Sequence, residues 1–331
     1  MALTRMTYAL AAGEALAAAM RADRRVVALG EDLGRGGVFG QYRTRGADGA
    51  LRPLQQEFGA ARVIDTPISE ANIMGAAVGM ALAGLRPVVE LRVVDFALCG
   101  MDELVNQAAK NRYMFGGQGR VPLVARMPIG LWTASAAQHS QSLEAWFAHV
   151  PGLVVVCPAT PQDNHGLLAA ALACGDPVAY LEHKELWGLE GEVDTSLDVP
   201  LGRARIARAG RDLTLVTWSR TVHESLAAAT ELAREGVEVE VIDLRTLWPW
   251  DRDTVLASCA KTRRLLVAHE AVQAAGFGAE IAASVAEATG CPVKRLGAPR
   301  IPVGYAPTLE AVARVDAAKI ACLVREWLRD A

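Results

Sequence analysis

The chain has 331 residues and a formal net charge of −3, from 34 Lys and Arg against 37 Asp and Glu, so no basic excess argues for a nucleic-acid partner. Hydrophobic residues make up 52%, which excludes a disordered chain, and only 5% of residues are aromatic. The core must then be built from Ala, Val, Leu and Ile, as in helix-covered parallel sheets, and at about 150 residues per domain two domains are expected. A mean hydropathy of +0.19 points to apolar surface buried against another subunit. The longest apolar run, Ile73 to Leu85, spans 13 residues, whereas a membrane helix needs about 18 to 20. Six well-separated cysteines form no C-x-x-C pair, which argues against a zinc site or a disulfide framework and fits a reducing cytoplasm.

Thr7 followed by Ala/Leu periodicity reads as a capped helix. Arg25–Leu29 and Arg62–Asp65 are expected strands, the second leading through Thr66-Pro67-Ile68-Ser69 into a helix over Glu70–Ala83. Pro87–Leu91, Val121–Ala125, Leu153–Val156 and Pro177–Glu182 read as further strands, with a helix over Met101–Lys110. Thr160-Pro161-Gln162-Asp163 resembles a capping box with proline at the first helical position. Glu185 to Arg203 lacks a period and carries Gly188, Gly191 and Pro200, so 191–203 is expected to be a linker. A second series follows: strands Leu213–Trp218, Val237–Asp243, Leu265–His269 and Val293–Leu296, with helices over Val222–Glu235, Asp251–Lys261, after Gly278 and from Ala317. The expected fold is α/β, two doubly wound domains over 1–190 and 204–331.

Asp65-Thr66-Pro67-Ile68-Ser69-Glu70 lies between a strand's carboxyl end and a helix start, where open α/β sheets place ligands. Two readings stand side by side. Ser69 and Glu70 cap the helix and favour its dipole, or Glu70 opens a buried helix and shares a proton with a ligand nitrogen. Gln138-His139-Ser140-Gln141 is a polar cluster without a period, and His269-Glu270 ends a strand. The glycine-rich Gly36-Gly37-Val38-Phe39-Gly40 and Gly276-Phe277-Gly278 do not form G-x-G-x-x-G after a strand.

Six segments in order carry a family likeness: Leu29-Gly30-Glu31-Asp32, Asp65 to Glu70, Gly84-Leu85-Arg86-Pro87, Gln138 to Gln141, Ile242-Asp243-Leu244-Arg245-Thr246-Leu247 and His269-Glu270. Over nearly its whole length the chain resembles the β subunit of the thiamine-diphosphate-dependent first component of 2-oxo acid dehydrogenase complexes. Asn106 to Lys110, Gly116-Gly117 and Ser142 to Leu153 most resemble the acetoin branch. The resemblance implies a pyrimidine-binding domain followed by a transketolase C-terminal-like domain. It implies that Glu70 hydrogen-bonds the cofactor's aminopyrimidine ring and favours its imino tautomer, whose nitrogen removes the thiazolium C2 proton. Phe96 would stack on the pyrimidine, and Glu31, Ile68 and Ser69 would line the same pocket. His139 would assist proton transfer or acylation of the lipoyl group.

For the family's Gly-Asp-Gly motif and later Asn pair, which hold magnesium on the diphosphate, Asp48-Gly49 and Gly30-Glu31-Asp32 are the nearest candidates, and neither has the Asn pair downstream. The resemblance therefore implies half a site, with Mg2+ on a separate α chain, an α2β2 assembly and a lipoyl domain as acyl acceptor. Arg92 stands where relatives carry Gln or Met. It is either an ion-paired arginine, with Glu90 or Asp95, or a reader of an anionic substrate group. Ile129-Gly130-Leu131-Trp132-Thr133-Ala134 replaces a glycine-rich loop and would narrow substrate access. A split transketolase-like enzyme moving ketol units between sugars, and a non-catalytic assembly subunit, are the alternatives.

Overall fold

The computed structural model describes residues 3–329; the outer limits of the expected domains, at 1 and 331, lie outside them. The chain divides into two compact units: residues up to Ile129 with Trp146–Leu201, and Gly130–Ala145 with everything from Gly202. Among the described residues no helix is long and apolar enough to cross a membrane.

In the first unit β1 (Thr4–Thr7) runs into α1 (Tyr8–Ala22), whose start is fixed by the Thr7 hydroxyl accepting the Leu10 N–H at 3.2 Å. The strand β2 (Val26–Gly30) follows, then a hairpin of β3 (Arg43–Arg45) and β4 (Leu51–Pro53), and the short α2 (Leu54–Phe58). Next come β5 (Val63–Asp65), α3 (Glu70–Leu82), β6 (Arg86–Glu90), α4 (Ala109–Met114) and β7 (Val124–Arg126). The short α5 (Glu144–Ala148), whose first two residues belong to the second unit, precedes β8 (Val154–Val156), α6 (Pro161–Ala173), β9 (Val178–Tyr180) and β10 (Glu190–Val193). Six of these strands form a parallel sheet in the order β8-β9-β7-β6-β2-β5. Its strands are short Val-rich runs buried on both faces, with Ala-rich α1 and α6 packed together over one of them.

The stretch expected to be a linker is partly structured in this unit. Residues 190–193 form β10 and pair antiparallel with β1, and Val199 is buried in the core. Its partner lies about as far away in sequence as the unit allows, so no local pattern announces it.

The carboxyl ends of β6, β7 and β9 carry a buried polar seam. Arg126 is fully buried and donates from Nε and Nη2 to both oxygens of Glu182, each at 2.9 Å. Its guanidinium lies 4.8 Å from the Tyr42 ring centroid. Glu90 accepts from Gln41 Nε2 and the Tyr42 hydroxyl, both at 3.0 Å. Burial pushes the Glu90 carboxyl up to about 7, against the pull of Arg126.

The second unit contains β11 (Arg205–Arg208), β12 (Leu213–Thr217), α7 (Thr221–Ala233), β13 (Val239–Asp243), β14 (Thr246–Trp248) and α8 (Arg252–Thr262). It continues with β15 (Leu265–Val272), α9 (Gly278–Thr289), β16 (Val293–Ala298), α10 (Pro307–Ala313) and α11 (Ala317–Arg329). Its sheet runs β11-β13-β12-β15-β16, parallel except for β11, which joins one edge antiparallel. The terminal helix α11 buries Ile320, Ala321, Val324 and Trp327 on one stripe and packs against α7.

Candidate active site

In the first unit, β5, β2 and β6 are neighbours, and their carboxyl ends present the residues singled out from sequence. Glu31 follows β2 directly, Glu70 opens α3 after β5, and Arg92 with the helical turn Val94–Gly100, carrying Phe96, follows β6. Two glycines set these approaches. A Cβ on Gly30 would lie 2.6 Å from the Glu90 carbonyl oxygen, so only glycine lets β2 end this close to β6. A Cβ on Gly100 would lie 3.1 Å from the Glu70 carbonyl oxygen and 3.3 Å from Met74 Cβ, so the turn bearing Phe96 packs tightly on the first turn of α3.

Burial raises the proton affinity of Glu31, the negative charges of Glu70 and Asp32 add to it, and Arg92 opposes it. Arg92 Nη2 donates to Asp32 Oδ2 at 2.6 Å and lies 3.7 Å from Glu31 Oε2. Its partners are therefore not Glu90 or Asp95. Glu90 is turned inward to Gln41 and Tyr42. Ser69 occupies the N-cap position of α3, yet its side chain makes no capping hydrogen bond. The Thr66 hydroxyl, in the same loop, is buried with no hydrogen-bond partner among the described residues. Ile68 is 77% exposed and Phe96 is half-buried. The helix behind Glu70 buries Ile73, Met74, Ala77, Val78 and Ala81 and exposes Ala76, Gly79 and Leu82, so it is not buried all round in this chain.

Two neighbouring acids, one of them with its proton affinity raised, an aromatic ring, an exposed aliphatic side chain and two uncommitted hydroxyls suit a weakly basic heteroaromatic ring. The set fits the pyrimidine half of thiamine diphosphate. Among the described residues no group of three His, Cys, Asp or Glu side chains is placed to hold a metal ion. Of the two nearest candidates, Asp48 is paired with Arg52 and Asp32 with Arg92.

His139 lies in the second unit, exposed on a loop over residues 130–141. His269 is wholly buried at the end of β15, and burial lowers its pKa to about 4. The ring stacks on Trp218 with centroids 5.0 Å apart, and its Nδ1 lies 3.1 Å from the Ala271 carbonyl. A Cβ on Gly276 would meet the imidazole at 2.8 Å and one on Gly278 at 2.7 Å. These glycines are spacers for His269. Trp218 Nε1 in turn donates to Glu144 Oε1 at 3.0 Å, and burial pushes the Glu144 carboxyl up to about 7.

Sequence reasoning missed Arg126, Glu182, Glu144 and Glu310. A usable signal exists for two of them, because Arg126 and Glu182 end apolar strands where a charge survives burial only if paired.

Residues 4–188 match the transketolase pyrimidine-binding domain and residues 202–320 the transketolase C-terminal domain. A solved split-gene transketolase, described as an inactive beta4 tetramer, superposes with a TM-score of 0.79 over 96% of each chain; at 20% identity the likeness is one of fold. Fold and site together define a transketolase-type α/β protein. The chain is 43% identical to the β subunit of acetoin:2,6-dichlorophenolindophenol oxidoreductase from Cupriavidus necator, covering 98% of both chains. It is also 43% identical to the mitochondrial pyruvate dehydrogenase E1 component subunit beta-2 of Oryza sativa, over 96% of this chain and 86% of that one. To the 2-oxoisovalerate dehydrogenase subunit beta of Bacillus subtilis it is 39% identical, over 97% and 98%. The chain belongs to the family of β subunits of acetoin and 2-oxo acid dehydrogenases.

Proposed function

We propose that this β subunit supplies the pyrimidine-holding half of a thiamine-diphosphate site and that an α subunit supplies the diphosphate and Mg2+ half, in an α2β2 assembly. When bound, thiamine diphosphate supplies an acidic ring carbon whose conjugate base adds to the carbonyl of acetoin or a 2-oxo acid. Glu70 holds and returns a proton at the pyrimidine ring, and Glu31, Ile68, Ser69 and Phe96 orient that ring. His139 serves the later proton transfer or acylation of a lipoyl domain. Arg92 acts as counter-ion to Asp32 and Glu31, which leaves the donor an acetoin or 2-oxo acid without a further anionic group. The observation that supports this reading best is the pair of neighbouring acids, Glu31 and Glu70, at the carboxyl edge of a parallel sheet. The 39–43% identity to named dehydrogenase subunits favours it over ketol transfer between sugars.

The test is proton exchange at the cofactor's reactive carbon in the α/β complex, wild type against Glu70→Gln. Exchange should slow by about 100-fold or more in the variant, the scale of a lost general acid–base. Unchanged exchange rejects the role of Glu70. A donor screen scored by lipoyl-domain acylation against ketol transfer then identifies the substrate.

A further inference from the structure

The loop over 130–141 is held in a conformation that its own sequence disfavours. Thr133, Ala134 and Ala136 have φ of 40°, 56° and 62°, the left-handed region that L side chains rarely adopt, and none of the three is glycine. Main-chain bonds within the loop are local. Gly130 N–H donates to the Gln141 carbonyl at 3.0 Å and closes its base, Ser135 N–H donates to the Trp132 carbonyl at 3.0 Å, and His139 N–H donates to the Ala136 carbonyl at 3.4 Å. Beneath it lies a pocket of about 400 Å³, lined by Leu131, Ala137 and Gln141 on one side and by Val272, Ile301 and Val303 on the other. None of these main-chain bonds ties the loop to another element.

Two carboxylates do. Glu270 Oε1 accepts the Leu131 N–H at 2.7 Å, and Glu310 Oε2 accepts the Ala134 N–H at 2.7 Å. The second bond falls on a strained residue. Glu310 is buried on α10, and its other oxygen accepts from Arg314 Nη2 at 3.1 Å, which orients the carboxylate toward the loop.

We infer that Glu310 is a positioning residue: by fixing the left-handed turn at Ala134 it sets the place of His139, five residues on. The inference rests on the role given to His139 above, and the orientation of the loop can be read separately from that role. Removing the carboxylate lets the turn relax toward the pocket and carries His139 with it.

The experiment uses the assembled α/β complex with three β variants, Glu310→Ala, Glu310→Gln and Glu310→Ala/Ala134→Gly. In Glu310→Ala, kcat for lipoyl acylation should fall about 10-fold or more with donor KM unchanged, and the His139 imidazole NMR signals should shift or broaden. Glu310→Gln keeps an acceptor oxygen and should stay near wild type. Adding Ala134→Gly, which removes the strain at φ 56°, should restore both readouts in part. If Glu310→Ala fails to fold, Glu310→Asp, one methylene shorter, withdraws the carboxylate from the Ala134 N–H and should give the same loss. Imidazole signals that stay at their wild-type positions in Glu310→Ala or Glu310→Asp overturn the inference. A His139→Ala variant with full activity would instead reject the role of His139, while the NMR response still decides whether Glu310 places it.

Discussion

Glu144 offers a quantitative check on the buried electrostatics of the second unit. Its carboxyl is pushed from 4.5 to about 7 by burial, and its Oε1 accepts from the Trp218 indole N–H. A raised pKa means that the folded state holds the proton more tightly than the unfolded chain. The resulting stability is complete below pH 4.5 and is lost as pH climbs through 7. Glu144→Gln keeps an oxygen for Trp218 and the shape of the side chain but cannot titrate. Between pH 5 and pH 8 the wild type should lose about 2 to 3 kcal/mol of stability relative to the variant, at about 1.4 kcal/mol per pH unit between the two pKa values. His269, whose lowered pKa acts in the opposite sense over part of this range, is common to both proteins and cancels in the difference. Urea unfolding followed by circular dichroism at four pH values from 5 to 8 measures that difference. Stability curves that stay parallel across the range would refute a buried, proton-retaining Glu144.

Three further outcomes are expected. Arg126→Met strips Glu182 of its bidentate partner and leaves Glu182 and Glu90 buried together, so the urea midpoint should drop by an amount worth about 3 to 5 kcal/mol; a smaller drop than for an ordinary surface change would show that the seam is hydrated. Arg92→Gln removes the cation that opposes proton uptake by Glu31, so the acid limb of the kcat/KM profile of the α/β complex should move to higher pH, and an unmoved limb argues that Glu31 does not titrate in turnover. Gly152→Ala places a Cβ 2.0 Å from the Ala109 carbonyl oxygen at φ 98°, which should cost about 3 kcal/mol in chemical denaturation, with full stability showing that the two segments separate freely.

The sequence by itself determined the layering and pointed to the edge that carries the candidate site. Short Val-rich runs alternating with Ala-rich helices require parallel strands with covered faces, because such strands have no side left for water. The caps at Thr7 and Thr160 fixed two helix starts through bonds that span only three residues, Glu70 stood out by following a strand end into a helix, and Glu31 entered through the family likeness. What only the tertiary structure decided depends on partners distant in sequence. Residues 190–193 become a strand because β1 pairs with them, and residues 130–145 join the second unit although the chain around them belongs to the first. Arg92 turns to Asp32, 60 positions away, and not to the acids beside it, since the close approach of β2 and β6 at Gly30 places those strand ends together. The hold of Glu310 on Ala134 spans 176 positions. Local pattern reports burial and backbone preference over a few residues; charges and strained turns are settled by whichever distant group the fold brings within hydrogen-bonding reach.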